Sequence, residues 1–317
     1  MQTLSAQFDH RNKARLARIG KNAAIFVFSV VLVCYTVGPF LWLLSSSFQS
    51  EAEIVSIPPH WIPHEPTLDN FRAIIGSEQR EVTYETRRQA HDMSRGMGYV
   101  PETARNVLPA LLNSLIIAVS VVILNLLVSI PAGYAIAKIR FPGRVTAVYA
   151  ILTTRFVPDI VLIVPFFLVI NRLGVVDNVL SLIVTYLALT VPFTVYMLIN
   201  YFESIPDELD KAARVDGCSR FATLIHVYLP LALPSLVAVV LFTFLVSWNE
   251  FLFALMLTQT TASQTLPIVV ATFTSDFTVS FSFMNAAGVV AVVPPVVLAL
   301  LFERYIVSGL TAGAVKG

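Results

Sequence analysis

The side chains able to do chemistry in this sequence sit in apolar surroundings and come in close pairs. Arg155 and Asp159 lie four residues apart inside the apolar run 145–170. On a helix that spacing puts both on one face, where each neutralises the other, and an uncompensated charge in hydrocarbon is strongly unfavourable. Arg155 falls ~16 Å from the nearer end of the run at ~1.5 Å per residue, close to the middle of a bilayer. Two uses are open for it. The pair is structural, turned toward neighbouring helices or a second subunit, or Arg155 faces a passage and meets an acidic or hydroxyl-rich solute. Asn249 and Glu250 form the second pair, within a run, 225–257, that is too long for one straight crossing. A break near Trp248 is expected. Polar residues at such a break either line a cavity or anchor it to the last apolar run, for instance through Asn285.

Other chemistries lack their residues. The sequence holds no G-x-x-x-x-G-K-[ST] phosphate loop, so ATP-driven work must draw on another protein. Two cysteines and five histidines show no zinc-type spacing, and no acid–base or nucleophile cluster points to an enzyme. A net charge of +1 provides no basic surface for nucleic acid. Cys34 lies in an apolar run and Cys218 in a polar one, different depths that argue against a disulfide.

The elements that must position these groups follow from composition. With 56% hydrophobic residues, 13% charged residues and a mean hydropathy of +0.75, the chain is too apolar for a soluble domain of 317 residues. It reads as an all-α integral membrane protein, because a helix satisfies its own backbone amides in lipid. Six runs qualify as spans, near 23–44, 108–137, 145–170, 179–200, 225–257 and 283–302. The first is longer than a signal-peptide core and lacks a cleavage pattern, so it is expected to stay as an anchor. Arg11, Lys13, Arg15, Arg18 and Lys21 precede the first span, and Lys138, Arg140 and Arg144 separate the second from the third. These ends are expected in the cytoplasm, with both termini inside.

Residues 1–22 then form a cytoplasmic basic tail, and 23–317 the membrane domain. The polar excursion 49–107 faces outward, with a helix expected at about 78–93, and is either a solvated decoration or a docking surface for an external partner. Pro131, Pro158, Pro165, Pro192, Pro294 and Pro295 punctuate the spans, each removing a helix hydrogen bond.

Between the fourth and fifth spans lies the polar island PDELDKAARVDGCSRFATLIHVYLPLALP, 206–234. Pro206 fixes its start, and Asp207 and Glu208 suit a helix N-terminus. Leu209, Ala212, Ala213 and Val215 form a small, mildly apolar face. Gly217 supplies a turn, and Ser219 caps a second helix that runs through Leu229 and Pro230 into the fifth span. By itself this is either a device that enters a protein groove or an amphipathic helix lying on the membrane surface.

The order of residues here resembles the coupling loop of ABC importer permeases, whose pattern reads EAA, then glycine, then isoleucine-x-leucine-proline. Ala212, Ala213, Asp216, Gly217, Leu229 and Pro230 match, Lys211 replaces the glutamate, and Val227 takes the isoleucine position. NSLIIA at 113–118, WNEFLFAL at 248–255, TLP at 265–267 and VSGLTAGAVKG at 307–317, with its two small-residue turns, are similar to the maltose-type carbohydrate-uptake branch. The departure is an insert at about 78–104.

The resemblance implies a bundle of six transmembrane helices with cytoplasmic coupling helices. It also implies that the loop 203–222, through Glu208 and the matching residues, docks on an ATPase subunit dimer. The implied partners are a second homologous permease subunit, the ATPase dimer, an extracytoplasmic solute-binding protein and the lipid bilayer. The chain itself binds no cofactor in this reading, and ATP and magnesium belong to the ATPase. In that branch the tail 307–317 reaches the ATPase dimer. The loop 258–267 would lie near the mouth of the binding protein, where its hydroxyl and amide groups contact a sugar or form a plain polar turn.

The expected function is therefore one half of the pathway of an ATP-driven, binding-protein-dependent importer of a sugar or sugar derivative. The alternative is an autonomous ion-coupled transporter or channel that uses Arg155, Asp159 and Glu250 as relay groups.

Overall fold

Apolar runs that find no hydrogen-bond partner in lipid must close their own, and the described chain does so as helices. The computed structural model describes residues 2–76, 102–274 and 280–314. In chain order the helices begin with α1 (Gln2–Ser46), α2 (Glu51–Ile54), α3 (Asp69–Ile75), α4 (Glu102–Lys138), α5 (Arg144–Thr153), α6 (Asp159–Arg172) and α7 (Val179–Ser204). They continue with α8 (Asp207–Val215), α9 (Arg220–Thr223), α10 (Leu229–Leu231), α11 (Leu233–Asn249), α12 (Leu252–Leu257), α13 (Leu266–Ala271) and α14 (Phe281–Ala314). The helix expected at 78–93, and most of the insert, lie outside the described residues.

Among the described residues four helices are each long and apolar enough to cross a bilayer: Gly20–Ser46, Thr103–Lys138, Val179–Ser204 and Phe281–Tyr305. The count reaches six, as expected, when each of two bent pairs is taken as one span. Those two pairs put the sharp bends in the third span and at the start of the fifth, the latter away from the break expected near Trp248. Residues 144–172 turn by 100° between α5 and α6. There Val157 is extended (φ −83°, ψ 119°) ahead of Pro158, which lacks an N–H and keeps its predecessor out of the helical region. The other interior prolines, Pro39, Pro109, Pro131, Pro165, Pro192, Pro294 and Pro295, remain inside unbroken helices.

The second bend, of 81°, separates α9–α10 from α11 at Ala232, between Pro230 and Pro234. The island therefore does not run straight into the fifth span. A single π turn, Leu224–Tyr228, joins α9 to α10. At the other end of the chain α14 continues as helix through Ala314, so the turns expected in the tail are not formed there. Glycine permits a turn without forcing one.

The core is the pair α4 and α7, with α11 packed against both and α14 against α11. Gly133 allows the close approach: a Cβ there would sit 2.9 Å from Leu198 Cβ. Asn125 Nδ2 donates to Thr190 Oγ1 across the same interface at 2.8 Å, and Ser129 Oγ donates to Asn125 Oδ1 at 3.0 Å. By contrast α1 lies against α14 and leaves Phe26, Phe28 and Tyr35 exposed, a helix that faces lipid or another chain.

Candidate functional site

The polar island folds into a knuckle whose turn is written in its own backbone. Helix α8 starts at Asp207, with Asp207, Glu208 and Asp210 all in its first turn, where the helix dipole favours anions. It ends in a reciprocal pair of bonds: Cys218 N–H donates to Ala213 O at 2.9 Å and Gly217 N–H to Arg214 O at 3.1 Å. Gly217 has φ +83°, a conformation a side chain would strain. Ser219 then caps α9, its Oγ accepting from Ala222 N–H at 3.2 Å.

Charge ties this knuckle to the ends of the long helices. Lys138, at the end of α4, is only 6% exposed in its side chain. Its Nζ donates to Ile205 O and to Asp207 Oδ1, both at 2.7 Å. That contact, the hydrogen bond first and the lysine's charge with it, holds the Asp207 carboxyl below its ordinary value. Arg144 pairs with Glu203, Arg214 Nε meets Asp210 Oδ2 at 3.0 Å, and Tyr134 OH donates to Asp210 Oδ1 at 3.4 Å. Beneath them Tyr134, Phe202 and Tyr228 pack edge to face, with Tyr134 and Tyr228 centroids 5.1 Å apart.

Lys138 and Arg144 enter the sequence reading only as topology signals; the fold gives them this second role. The residues expected to couple divide into two sets. Ala213 is 7% exposed and turns inward, so it is not available to a partner. Glu208, Lys211, Ala212, Asp216 and Pro230 are exposed, and Leu229 is half-buried. Val215 at 87% and Phe221 at 71% exposure add apolar surface to the outer side, and the sequence reading missed Phe221 altogether.

The intramembrane residues are arranged differently from the expectation. Arg155 sits in a 3-10 turn (Thr154–Phe156) on one side of the bend and Asp159 in the first turn of α6 on the other, so no ion pair joins them. The helix that would have placed them on one face is interrupted at Pro158. Arg155 instead donates to Leu189 O at 3.0 Å and lies 5.7 Å from the centroid of the Phe193 ring. Both charged residues border a cleft of about 270 Å³ with Thr154, Phe166, Leu189 and Pro192.

The break after Trp248 is present: Glu250 is extended (φ −67°, ψ 132°) between α11 and α12. Its carboxylate accepts from Phe253 N–H at 2.8 Å, Ala254 N–H at 3.0 Å and Tyr186 OH at 2.6 Å. It caps the shorter helix and fastens it to α7. Asn249 donates to Leu245 O on its own helix at 2.8 Å and is exposed, without reaching Asn285. The tie to the last span comes from Trp248, whose Nε1 donates to Ala291 O at 3.2 Å.

On the opposite side of the bundle the loop 258–265 is held at many points. Asp177 accepts from Gln259 N–H at 2.8 Å, Thr260 N–H at 2.9 Å, Thr260 Oγ1 at 2.8 Å and Ser263 Oγ. Led by the Ser263 bond, these keep its carboxyl well below the usual range. Asn113 donates to Thr261 O and Gln264 O, and Ser114 Oγ accepts from Leu266 N–H at 2.8 Å. The motif at 113–118 thus grips the one at 265–267. The hydroxyls of Thr258, Thr260 and Ser263 are spent on Ala254 O and the Asp177 carboxylate, which favours the polar-turn reading of that segment.

Residues 129–311 match the family described as binding-protein-dependent transport system inner membrane component. The chain is 30% identical over 292 residues to the sulfoquinovosyl glycerol transport system permease protein SmoH of Agrobacterium fabrum, covering 92% of this chain and 93% of that one. It is 31% identical over 299 residues to the trehalose/maltose transport system permease protein MalG of Thermococcus litoralis, covering 94% and 98%. Among solved structures, a chain of a bacterial ABC transporter involved in the import of the acidic polysaccharide alginate aligns over 91% of this chain and 97% of its own, with a TM-score of 0.73 at 20% identity.

Proposed function

Because the chain belongs to the family of binding-protein-dependent transport inner membrane components, we propose that it is one half of the membrane pathway of an ATP-driven importer of a sugar or sugar derivative. It is a multi-pass inner-membrane transport subunit. Both termini and the knuckle lie in the cytoplasm, and the loop 49–107 lies outside. The knuckle takes its motion from an ATPase dimer that holds the ATP and magnesium. A second, homologous permease completes the pathway, and an external binding protein delivers the solute.

One observation carries the coupling: α8 is fastened to the end of α4 by Lys138 on Asp207 and Tyr134 on Asp210, above the Tyr134–Phe202–Tyr228 stack, while Ala212, Val215 and Phe221 stay exposed. A partner that moves this outer side moves α4 and α7 with it, and such a partner must bind the two states unequally to drive the change. Arg155 and Asp159 beside their cleft are the pathway groups in this reading. Glu250, occupied as a cap, is not a relay group, which removes one of the alternative transporter's three members.

Co-purification of the tagged chain with an ATPase, and its loss in Val215→Asp, tests the proposal. Ala213→Trp is a poor choice because that side chain is already packed. Uptake that survives ATP depletion while an ion gradient remains would overturn the proposal. Sugar binding by the partner solute-binding protein, surveyed across neutral and acidic saccharides, tests the substrate class.

A further inference from the structure

Apart from every residue used so far, the segment after the first span gathers Glu53, His60 and His64, whose ligand-type atoms lie within 4.8 Å of one another. The arrangement is held from several sides. Fully buried Gln49 donates from Nε2 to His60 O at 2.7 Å, and Ser45 Oγ donates to Trp61 O at 2.6 Å. The Trp61 ring rests edge-on against Trp42 of α1, centroids 4.8 Å apart. His60 and Trp61 are thereby pinned to the end of α1 and the residues just after it, and Pro58, Pro59, Pro63 and Pro66 stiffen the rest.

His64 N–H donates to Glu53 Oε1 at 2.7 Å, which fixes the carboxylate against the second histidine. The two imidazoles meet edge to face at 4.2 Å, and Ser56 Oγ lies 3.2 Å from His60 Nδ1. The Glu53 side chain is 11% exposed, and among the described residues no lysine or arginine pairs with it. A carboxylate so enclosed, facing two imidazoles, gathers three ligand-type atoms at one point, with His64 Nδ1 already 3.3 Å from Glu53 Oε1.

The chemistry narrows the cation. Two imidazole nitrogens and one carboxylate oxygen suit a borderline divalent ion such as zinc, whereas calcium and magnesium require a shell of oxygens. Tetrahedral bonds of about 2.0–2.1 Å put ligand atoms about 3.4 Å apart. His64 Nδ1 and His60 Nδ1 lie 3.3 Å and 4.0 Å from Glu53 Oε1, so closing the site requires only a small movement. We propose that Glu53, His60 and His64 bind a zinc-class divalent ion with one coordination position left open. His60 and His64 stand at an H-x3-H spacing that corrects the reading of no zinc-type pattern in the sequence; it went unseen because the third ligand, Glu53, comes from a separate helix, α2.

The test uses the full-length chain in detergent, stripped by chelator and titrated with zinc against a competing zinc-binding dye. One equivalent is expected in the unmodified chain and in the control His226→Gln. The His60→Gln, His64→Gln double variant is expected to bind more than about 100-fold more weakly, since loss of even an orienting neighbour costs about 10–100-fold. Glu53→Gln is expected to lie between them. Equal binding by the double variant overturns the proposal. Should the variants not fold, cobalt added to the unmodified chain decides: an intense four-coordinate visible spectrum is expected, and a weak six-coordinate one overturns the site.

Discussion

In the knuckle between α7 and α11 the acidic residues point at cations, Asp207 at Lys138 on α4 and Asp210 at Arg214 on its own helix. At the break between α11 and α12 the acidic residue points at the backbone, Glu250 capping Phe253 and Ala254 and holding Tyr186. Both places interrupt an apolar helix, and both use a carboxylate to do it. The knuckle is tied down on its inner side only, which leaves apolar residues on the outside for something else to cover. The break spends its charge entirely inward and keeps none for a solute or partner. A polar residue in a membrane run is thus informative about function only once its hydrogen bonds are counted.

This contrast can be broken by experiment. The largest effect is expected from Val215→Asp, which places a charge on the exposed outer side: ATPase co-purification and uptake should fall by more than about tenfold, with thermal stability within about 0.5 kcal/mol of the parent. An unfolded variant would show that this side is structural after all. Next comes Glu250→Ala, which strands two amides and a phenol at about 1–3 kcal/mol for a buried unsatisfied group. A loss of about 3 kcal/mol in thermal unfolding of the purified chain is expected, with Glu250→Gln nearer the parent because its amide oxygen still accepts. Unchanged stability with lost uptake would return Glu250 to the pathway.

Lys138→Met should cost about 1–2 kcal/mol by removing charge-assisted bonds to Ile205 O and Asp207. It should also weaken the dependence of ATPase rate on solute, measured in reconstituted vesicles. Arg155→Gln in the same vesicles should change uptake without the stability loss seen for Glu250→Ala. The smallest effect is on acid response. Asp207 has a folded pKa below its unfolded value near 3.9, so its contribution is complete above about pH 4 and fades as pH falls through the folded value. Asp207→Asn should flatten that part of the stability curve below pH 4, read from unfolding midpoints.

Much of the knuckle was legible before any coordinates, because its signals are local. Gly217 at positive φ, Ser219 as a cap and the helix starting after Pro206 depend on neighbours within a few residues, and so does the break after Trp248. Pro158 shows the limit: its sequence signal matches that of Pro165 or Pro192, which sit in unbroken helices, yet it alone lies at the 100° turn. That turn separated Arg155 from Asp159 and undid an inference drawn from helical spacing.

Sequence by itself determined that this chain is a membrane bundle of helices, where its apolar runs lie, and where turns and caps fall, since hydropathy and backbone preference act over one or two helical turns. Only the tertiary structure decided that Ala213 turns inward while Val215 turns out, that Glu250 is spent on Tyr186 and two amides, that Lys138 grips the knuckle, and that Glu53 meets two histidines. Each of those depends on which helix faces which, and packing between distant segments sets that through contacts no local pattern encodes.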